Sequence, residues 1–161
     1  MADLLAHVLV AYACFTVLGW RLEWLTRRWL AVGLVGSLLP DLNRIELIVS
    51  DTATEAALGV PLEFDAIHTL GGVVLLAVAG TLCFRHDHRR AFGMLFAGAL
   101  SHLALDALKV YADGFSGVWL YPLSWYRHPS PNLYVSSEPI VLFSAIVVAT
   151  AVWWMDRSFG F

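Results

Sequence analysis

The chain has 161 residues, of which 59% are hydrophobic and 14% charged, and its formal net charge is −3. A mean hydropathy of +0.70 and several apolar runs near the roughly 20 residues that cross a bilayer exclude an ordinary soluble domain and predict an integral membrane protein. The charge balance offers no basic surface for nucleic acid. The length predicts one domain over residues 1–161. Cys14 and Cys83 lie in apolar runs and do not form a disulfide framework.

Five apolar runs predict an all-α, polytopic bundle of membrane helices. In chain order they are Leu4–Trp20, Trp29–Leu39, Ile67–Phe84, Ala91–Tyr111 and Pro139–Met155. The N-terminus lacks the basic region of a signal peptide, so we expect the first helix to be retained. Counted from Arg27 to Leu39, the second segment is only about 20 Å long at 1.5 Å per residue, and Pro40 ends it. Because non-helical backbone at that depth needs protein or a water-filled cavity around it, the sequence predicts a sunken, wet pocket.

The connections between these runs differ in character. Residues 41–65 form an acidic stretch, in which we expect one or two helical turns at Ile45–Val49. Residues 85–90 form a basic hairpin, and residues 112–138 form a loop rich in Trp, Tyr, Pro and Gly. The aromatic residues of that loop predict an anchor at the membrane interface, with a lid over a site as the alternative.

The distribution of positive charge predicts the orientation. Seven of the ten Lys and Arg residues fall on one side if the linker 21–28, the connection 85–90 and the C-terminal end are cytoplasmic: Arg21, Arg27, Arg28, Arg85, Arg89, Arg90 and Arg157. By the positive-inside rule, the sequence predicts a multi-pass protein of the plasma membrane. Its N-terminus, the 40–66 segment and the 112–138 loop then face outward.

Five ionisable residues from four segments are predicted to lie at one depth. They are His7, Asp41, His68, His102 and Asp106. Counted from the nearest cytoplasmic arginine, each lies roughly 18 to 26 Å up, in the outer half of a hydrocarbon core about 30 Å thick. Ionisable groups at such depth face the bundle interior or a water-filled cavity. Because these residues were not used to set the orientation, their agreement favours one polar cluster facing the extracytoplasmic side.

The stretch SHLALD, residues 101–106, carries two of these groups. His102 and Asp106 are four residues apart, so they share a helix face and can bind one ion. Histidine and aspartate ligands favour zinc, manganese or iron as the divalent metal. Such a metal generates hydroxide from bound water, and Asp41 or Glu63 can act as general base. The sequence therefore predicts metal-assisted hydrolysis, with membrane lipid as a partner and a lipid-linked or phosphate-ester substrate. It leaves the oligomeric state open.

Small residues on the same helix predict close packing. Gly98 lies one turn before His102 and leaves room on the ligand face. Gly93, Ala97 and Ser101 form a neighbouring stripe of the kind that lets two helices approach.

Each polar residue also has a plainer explanation. Asp106 could pair with Lys109 or with His102, and His7 could be a lone histidine at the membrane interface. Asp41 could be a turn residue, and His68 could cap its helix. As a group they could serve a transporter or proton relay, or a structural protein that holds its helices by a His–Asp network. The apolar cytoplasmic halves of the runs argue against conduction. Three further histidines lie in connections and are expected to be solvated: His86, His88 and His128.

The order of short motifs is similar to one known family. An early His7 is followed by LLPDLN (38–43), IHT (67–69), ALSHLALD (99–106) and GVWLYPLSW (117–125). This order resembles the LexA-binding, inner-membrane-associated metal-dependent hydrolase family, whose members carry an early His, LPD-x-D, H-R-G-x-T-H-S, SH-x-x-x-D and a later G…P segment. The resemblance runs from His7 to about Trp125. It implies a hydrolase whose metal ligands are His7, Asp41, His68, His102 and Asp106.

The chain departs from the family pattern at two positions. The second Asp of LPD-x-D is Asn43, and the first His of H-R-G-x-T-H corresponds to Glu63, with Asp65 nearby. Asn and Glu can still ligate a metal, but neither departure favours a second ion. The LexA partner is not carried over, because only two short basic loops and the C-terminal end are predicted to face the cytoplasm.

Overall fold

The computed structural model describes residues 2–59 and 63–159, and the regular elements within these ranges are helices, as the all-α prediction expects. The α-helices are α1 (Ala2–Gly19), α2 (Arg27–Gly36), α3 (Asp51–Leu58), α4 (Leu70–Thr81), α5 (His88–Asp106) and α6 (Pro139–Phe159). Two 3-10 helices cover Pro40–Leu47 and Phe64–His68. In the described ranges, β-type pairing is limited to two isolated bridges, Lys109 with Tyr134 and Phe115 with Pro129.

The structure corrects several predicted boundaries. The short second segment is present, but α2 ends at Gly36, four residues before Pro40. The third run begins as a 3-10 helix, so His68 precedes α4 instead of lying inside it. The fourth run ends at Asp106, and the predicted continuation to Tyr111 is a turn.

The acidic stretch is more ordered than predicted. The 3-10 helix Pro40–Leu47 overlaps the expected turns at Ile45–Val49, but the sequence analysis missed α3. Ser50 is the N-cap of α3, and its hydroxyl accepts a hydrogen bond from the Ala53 amide at 3.2 Å. Serine is a preferred N-cap residue because it satisfies one free amide of the first turn. Residues 60–62 of the stretch lie outside the described ranges.

One helix of the described chain is long and apolar enough to cross a membrane. It is the Pro139–Ser158 part of α6, with 20 residues and a mean hydropathy of 1.7. Leu4–Gly19 and Leu70–Thr81 are apolar but shorter. The polytopic, five-span arrangement therefore stays a prediction, whereas a single crossing by α6 satisfies the length criterion.

Two apolar clusters hold the helices together. One joins α1, α2 and α5 and includes Phe15, Trp29 and Met94. The other joins α4 and α5 through Val73, Ala99 and Leu103. Burying these side chains supplies the main favourable energy of packing in a helical core. Helix α1 also packs along α6, where the Trp20 indole N–H donates to Asp156 Oδ1 at 3.0 Å.

Helices α2 and α5 touch through their backbones. A Cβ atom added at Gly98 would overlap the Gly33 carbonyl oxygen and lie 2.7 Å from the Ser37 amide nitrogen. Gly36 meets the Leu95 backbone in the same way. Gly93, which the predicted stripe included, instead has open space around it. The predicted close approach is thus made by Gly98 and not by Gly93.

We expect Gly98→Ala to destabilise the protein. Overpacking a tight core usually costs about 1–3 kcal/mol, and here the obstacle is backbone, which cannot rotate away, so we expect the upper end of that range. Gly93→Ala in the same helix is the matched control. Because alanine favours a helix over glycine by about 1 kcal/mol, the control should keep or raise the melting temperature. Thermal unfolding in detergent by circular dichroism measures both, and equal melting temperatures would contradict the backbone contact.

Candidate metal centre

The structure gathers the five predicted residues around one carboxylate, that of Asp106. His7 Nε2 lies 2.9 Å from Asp106 Oδ1, and His68 Nε2 lies 2.7 Å from Asp106 Oδ2. His102 Nε2 is 3.4 Å from the same Oδ2 and 3.9 Å from Asp41 Oδ2. Side chains from α1, the two 3-10 helices and α5 therefore meet at one point.

Backbone carbonyls fix the orientation of two histidine rings. His102 Nδ1 lies 2.8 Å from the Ser37 carbonyl oxygen, and His68 Nδ1 lies 3.3 Å from the Pro40 carbonyl oxygen. A carbonyl oxygen can only accept, so each Nδ1 carries the proton and donates it. In a neutral imidazole, the Nε2 atom then holds a lone pair. Metal-binding histidines are oriented in this way, with the second ring nitrogen donating to a carbonyl or carboxylate.

The two carbonyl groups lie at the end of α2 and at the start of the 3-10 helix that follows it. The last carbonyls of a helix have no partner within the helix and must find one elsewhere. Ser37 follows the last residue of α2, and Pro40 opens the 3-10 helix that comes next. Because α2 stops here, inside the bundle, the His102 ring satisfies a carbonyl at the helix end, and the His68 ring pairs with a carbonyl at the start of the 3-10 helix.

The inner part of the cluster is buried. His7 is 2% exposed, His102 1% and Asp106 5%. One ligand atom from each of these three residues lies within 4.8 Å of the others, a spacing that could hold a metal ion. The His7 and His102 rings stack with their centres 4.0 Å apart. The His68 side chain is 25% exposed, so the cluster is open on the His68 side.

Two cations balance the carboxylates from outside. Arg44 Nε lies 2.7 Å from Asp41 Oδ1, and Lys109 Nζ lies 2.7 Å from Asp106 Oδ1. Asp41 Oδ2 is buried and has no hydrogen-bond partner among the described residues. A buried carboxylate oxygen without a partner is costly, so this oxygen, close to His102, fits a site that receives a cation or a water molecule.

The structure tests two of the simpler explanations, the Asp106–Lys109 pair and the cap at His68. Asp106 does pair with Lys109, but it contacts the three histidines as well. His68 does not cap α4, because the Thr69 hydroxyl accepts from the Gly72 amide at 3.2 Å and fills that position. The pairing with Lys109 is therefore part of the cluster and does not replace it.

A cavity of about 380 Å³ opens directly above the cluster. Its lining includes Asp41, Arg44, His68, Asp106, Lys109 and Trp119. It lies beside the end of α2, where the sequence predicts a pocket, and it combines acidic and basic side chains with apolar walls. Such concave sites, with a few convergent polar groups, are the usual binding sites for small ligands.

The two predicted general bases differ in position. Asp41 lines the cavity, whereas Glu63 is exposed, precedes the second 3-10 helix and is not part of the lining. Asn43, which replaces an Asp of the family motif, does line the cavity and donates to Asp65 Oδ1 at 3.2 Å. Of the two candidates, Asp41 is therefore the one within reach of the cluster.

The 112–138 loop covers the cavity from the outside. The Trp119 carbonyl accepts from the Leu70 amide at 2.7 Å, and the Tyr121 carbonyl accepts from the Gly71 amide at 2.8 Å. These bonds satisfy amides in the first turn of α4 that have no partner within the helix. The Trp119 side chain lines the cavity, while Trp125 stays exposed. The loop thus contributes to the wall of the cavity, as the lid alternative expects, and its anchoring at the membrane interface stays a prediction. No sequence pattern distinguishes Trp119 from its aromatic neighbours.

An ion pair braces this loop. Arg127 Nη1 lies 2.6 Å from Asp113 Oδ2, and this hydrogen-bonded guanidinium lowers the pKa of the Asp113 carboxyl. Arg127 also donates to the carbonyls of Phe115 and Ser116, each at 3.0 Å. The expectation that His128 is solvated is wrong, because its ring is half-buried between Trp119 and Tyr126. Two histidines are exposed as expected: His86 and His88.

Comparison with known proteins gives one match. A search of the curated proteins and a search of the solved structures found nothing similar to the chain. A family model described as YdjM inner membrane protein matches residues 1–160, nearly the full length. That description agrees with the apolar composition and with the length of α6. The chain belongs to the YdjM inner membrane protein family.

Proposed function

We propose that the protein is a membrane-embedded, metal-dependent hydrolase. The observation that carries the proposal is the shared orientation of His68 and His102. Both donate Nδ1–H to a backbone carbonyl and direct Nε2 at Asp106. With neutral rings and an ionised carboxylate, the facing atoms are all acceptors, so a cation between them would relieve their repulsion.

The residues present fit a divalent ion such as zinc, manganese or iron. His7, His102 and Asp106 would form the inner ligand set, and His68 would complete it from the open side. When bound, the ion would lower the pKa of a water molecule and so supply hydroxide near neutral pH. Asp41, with Oδ2 facing His102, would accept the proton of that water.

The charges beside the cluster suit a substrate that becomes negative as it reacts. Arg44 and Lys109 both line the cavity above the metal centre. Positive groups placed where negative charge develops stabilise the transition state. A phosphate ester, or another ester linked to a membrane lipid, would therefore be a suitable substrate.

The arrangement of the helices supports a multi-pass topology with an outward-facing site. His7 lies near the start of α1 and Asp106 at the end of α5. The predicted cytoplasmic arginines occupy the opposite ends of these helices, at Arg21 and at Arg89 and Arg90. The core between these ends is apolar and includes Phe15 and Met94. This favours a site open to one side over a proton path across the bundle. The proposal includes the hydrolase activity that the family resemblance implies, and it does not include LexA as a partner.

Metal content is the first test. Wild-type protein purified without chelator should hold about one ion per chain, and His102→Ala or Asp106→Ala should lower the affinity by at least about 10–100-fold. Plasma mass spectrometry measures the ion, and circular dichroism reports whether each variant is folded. His86→Ala, an exposed histidine in a connection, is the matched control and should retain the metal.

Two outcomes would contradict the proposal. One is wild-type protein that stays metal-free after incubation with zinc, manganese and iron. The other outcome concerns a second variant, made because His102→Ala could fail to fold. It is a His102→Gln variant that is folded and metal-free but as active as wild type. Either result would make the cluster a structural His–Asp network.

The Asp41→Asn substitution tests the role of the general base. The amide is nearly isosteric and cannot accept a proton, and Asp41 lies outside the tightest ligand group. We expect the variant to keep its metal and to lose about 10²–10⁴-fold in kcat towards a chromogenic phosphate ester such as p-nitrophenyl phosphate. Loss of the metal instead would assign Asp41 as a ligand. Full activity would remove it from the mechanism.

A further inference from the structure

A second, apolar cavity ends at the metal centre from the other side. This groove of about 270 Å³ lies between α1 and α6. Helix α1 contributes Ala6, His7 and Val10, and α6 contributes Ala145 and Val148. Leu105 and Tyr134 form its inner wall. The Tyr134 hydroxyl donates to the Leu105 carbonyl at 2.9 Å, so both of these polar groups have partners.

His7 connects the groove to the cluster. It lines the groove, and its Nε2 lies 2.9 Å from Asp106, which lines the polar cavity. The two cavities therefore both reach the cluster, the polar one at Asp106 and His68 and the apolar one at His7. A ligand that filled both would have a polar end and an apolar end.

One wall of the groove is an exposed, apolar part of α6. Helix α6, which forms one wall, is the helix long and apolar enough to cross a membrane. Val148 at the groove is 50% exposed, and its neighbour Val147, outside the groove, is also 50% exposed. A hydrocarbon chain could pass from the surrounding lipid into this groove without crossing water.

We propose that the groove binds one hydrocarbon chain of a membrane lipid and so places the bond next to its head group at the metal centre. The chemistry at that bond rests on the proposed function, whereas the binding of the chain does not. The groove would add no hydrophobic energy relative to the bilayer, because both surroundings are apolar. Without the groove, a lipid whose head group reached the metal centre would expose part of its chain to water. Each exposed methylene would lower the population of that bound pose about fourfold. The proposal makes the substrate an amphiphile and excludes a soluble ester as the preferred one.

Photocrosslinking tests the groove directly. The probe is a phosphatidic acid with a diazirine midway along one acyl chain, added to the full-length protein in detergent after treatment with EDTA. Irradiation followed by peptide mass spectrometry locates the crosslinks. We expect labels at Leu105 and Tyr134, because both residues line the groove.

A pair of adjacent variants makes the test specific. In Val148→Trp the indole should fill the groove and remove most of the labelling at Leu105 and Tyr134. Val147→Trp changes the same residue type at the same exposure outside the groove, and it should leave that labelling unchanged. Melting temperatures check that both variants are folded, which their exposed positions favour.

The result that would overturn the proposal is labelling confined to the outward face of α6, around Val147 and Trp154, and equal in both variants. Because the protein is metal-free in this experiment, failure of the hydrolase proposal would leave the groove labelling intact. Conversely, a metal-loaded and active protein without groove labelling would refute only the lipid-chain site.

Discussion

The backbone contact between α2 and α5 at Gly98 is the constraint on which the site depends. It brings the end of α2 so close to α5 that the Ser37 carbonyl lies 2.8 Å from His102 Nδ1. That bond fixes which ring nitrogen carries the proton and turns Nε2 towards Asp106, one turn further along α5. A helix held farther away by a side chain at position 98 would leave His102 free to rotate. The geometry of the cluster therefore originates in a residue that contributes no functional group of its own.

Much of the site could be predicted from the sequence, because a helix rises by a constant amount per residue. Counting from the arginines predicted to be cytoplasmic gives His7, His102 and Asp106 a common depth, and the structure brings their ligand atoms together. The same count also gives His68 this depth, but it assumes that His68 lies inside an apolar α-helix. In the structure, His68 lies in a 3-10 helix before α4. Its position depends on the Pro40 carbonyl and on the Thr69 cap, which are tertiary and local contacts that periodicity does not reveal.

Other features could not be predicted because they arise from distant parts of the chain. Trp119 lines the cavity only because its carbonyl docks on the first turn of α4. His128 is half-buried only because Trp119 and Tyr126 fold around it. The groove between α1 and α6 is formed by helices from the two ends of the sequence, and no local pattern distinguishes residues that line it from exposed residues outside it. Hydropathy treats Val147 and Val148 alike, although only Val148 lines the groove.

The two carbonyl groups that orient His68 and His102 belong to the main chain at Pro40 and Ser37. Side-chain replacement at position 37 leaves its carbonyl in place as long as α2 still ends there. Sequence variation at Ser37 among relatives would thus say little about whether a relative keeps the metal centre. Variation at Gly98 would say a great deal, since any larger residue would separate the two helices. An alignment that scored only the polar residues of the cluster would overlook the position that sets the spacing between α2 and α5.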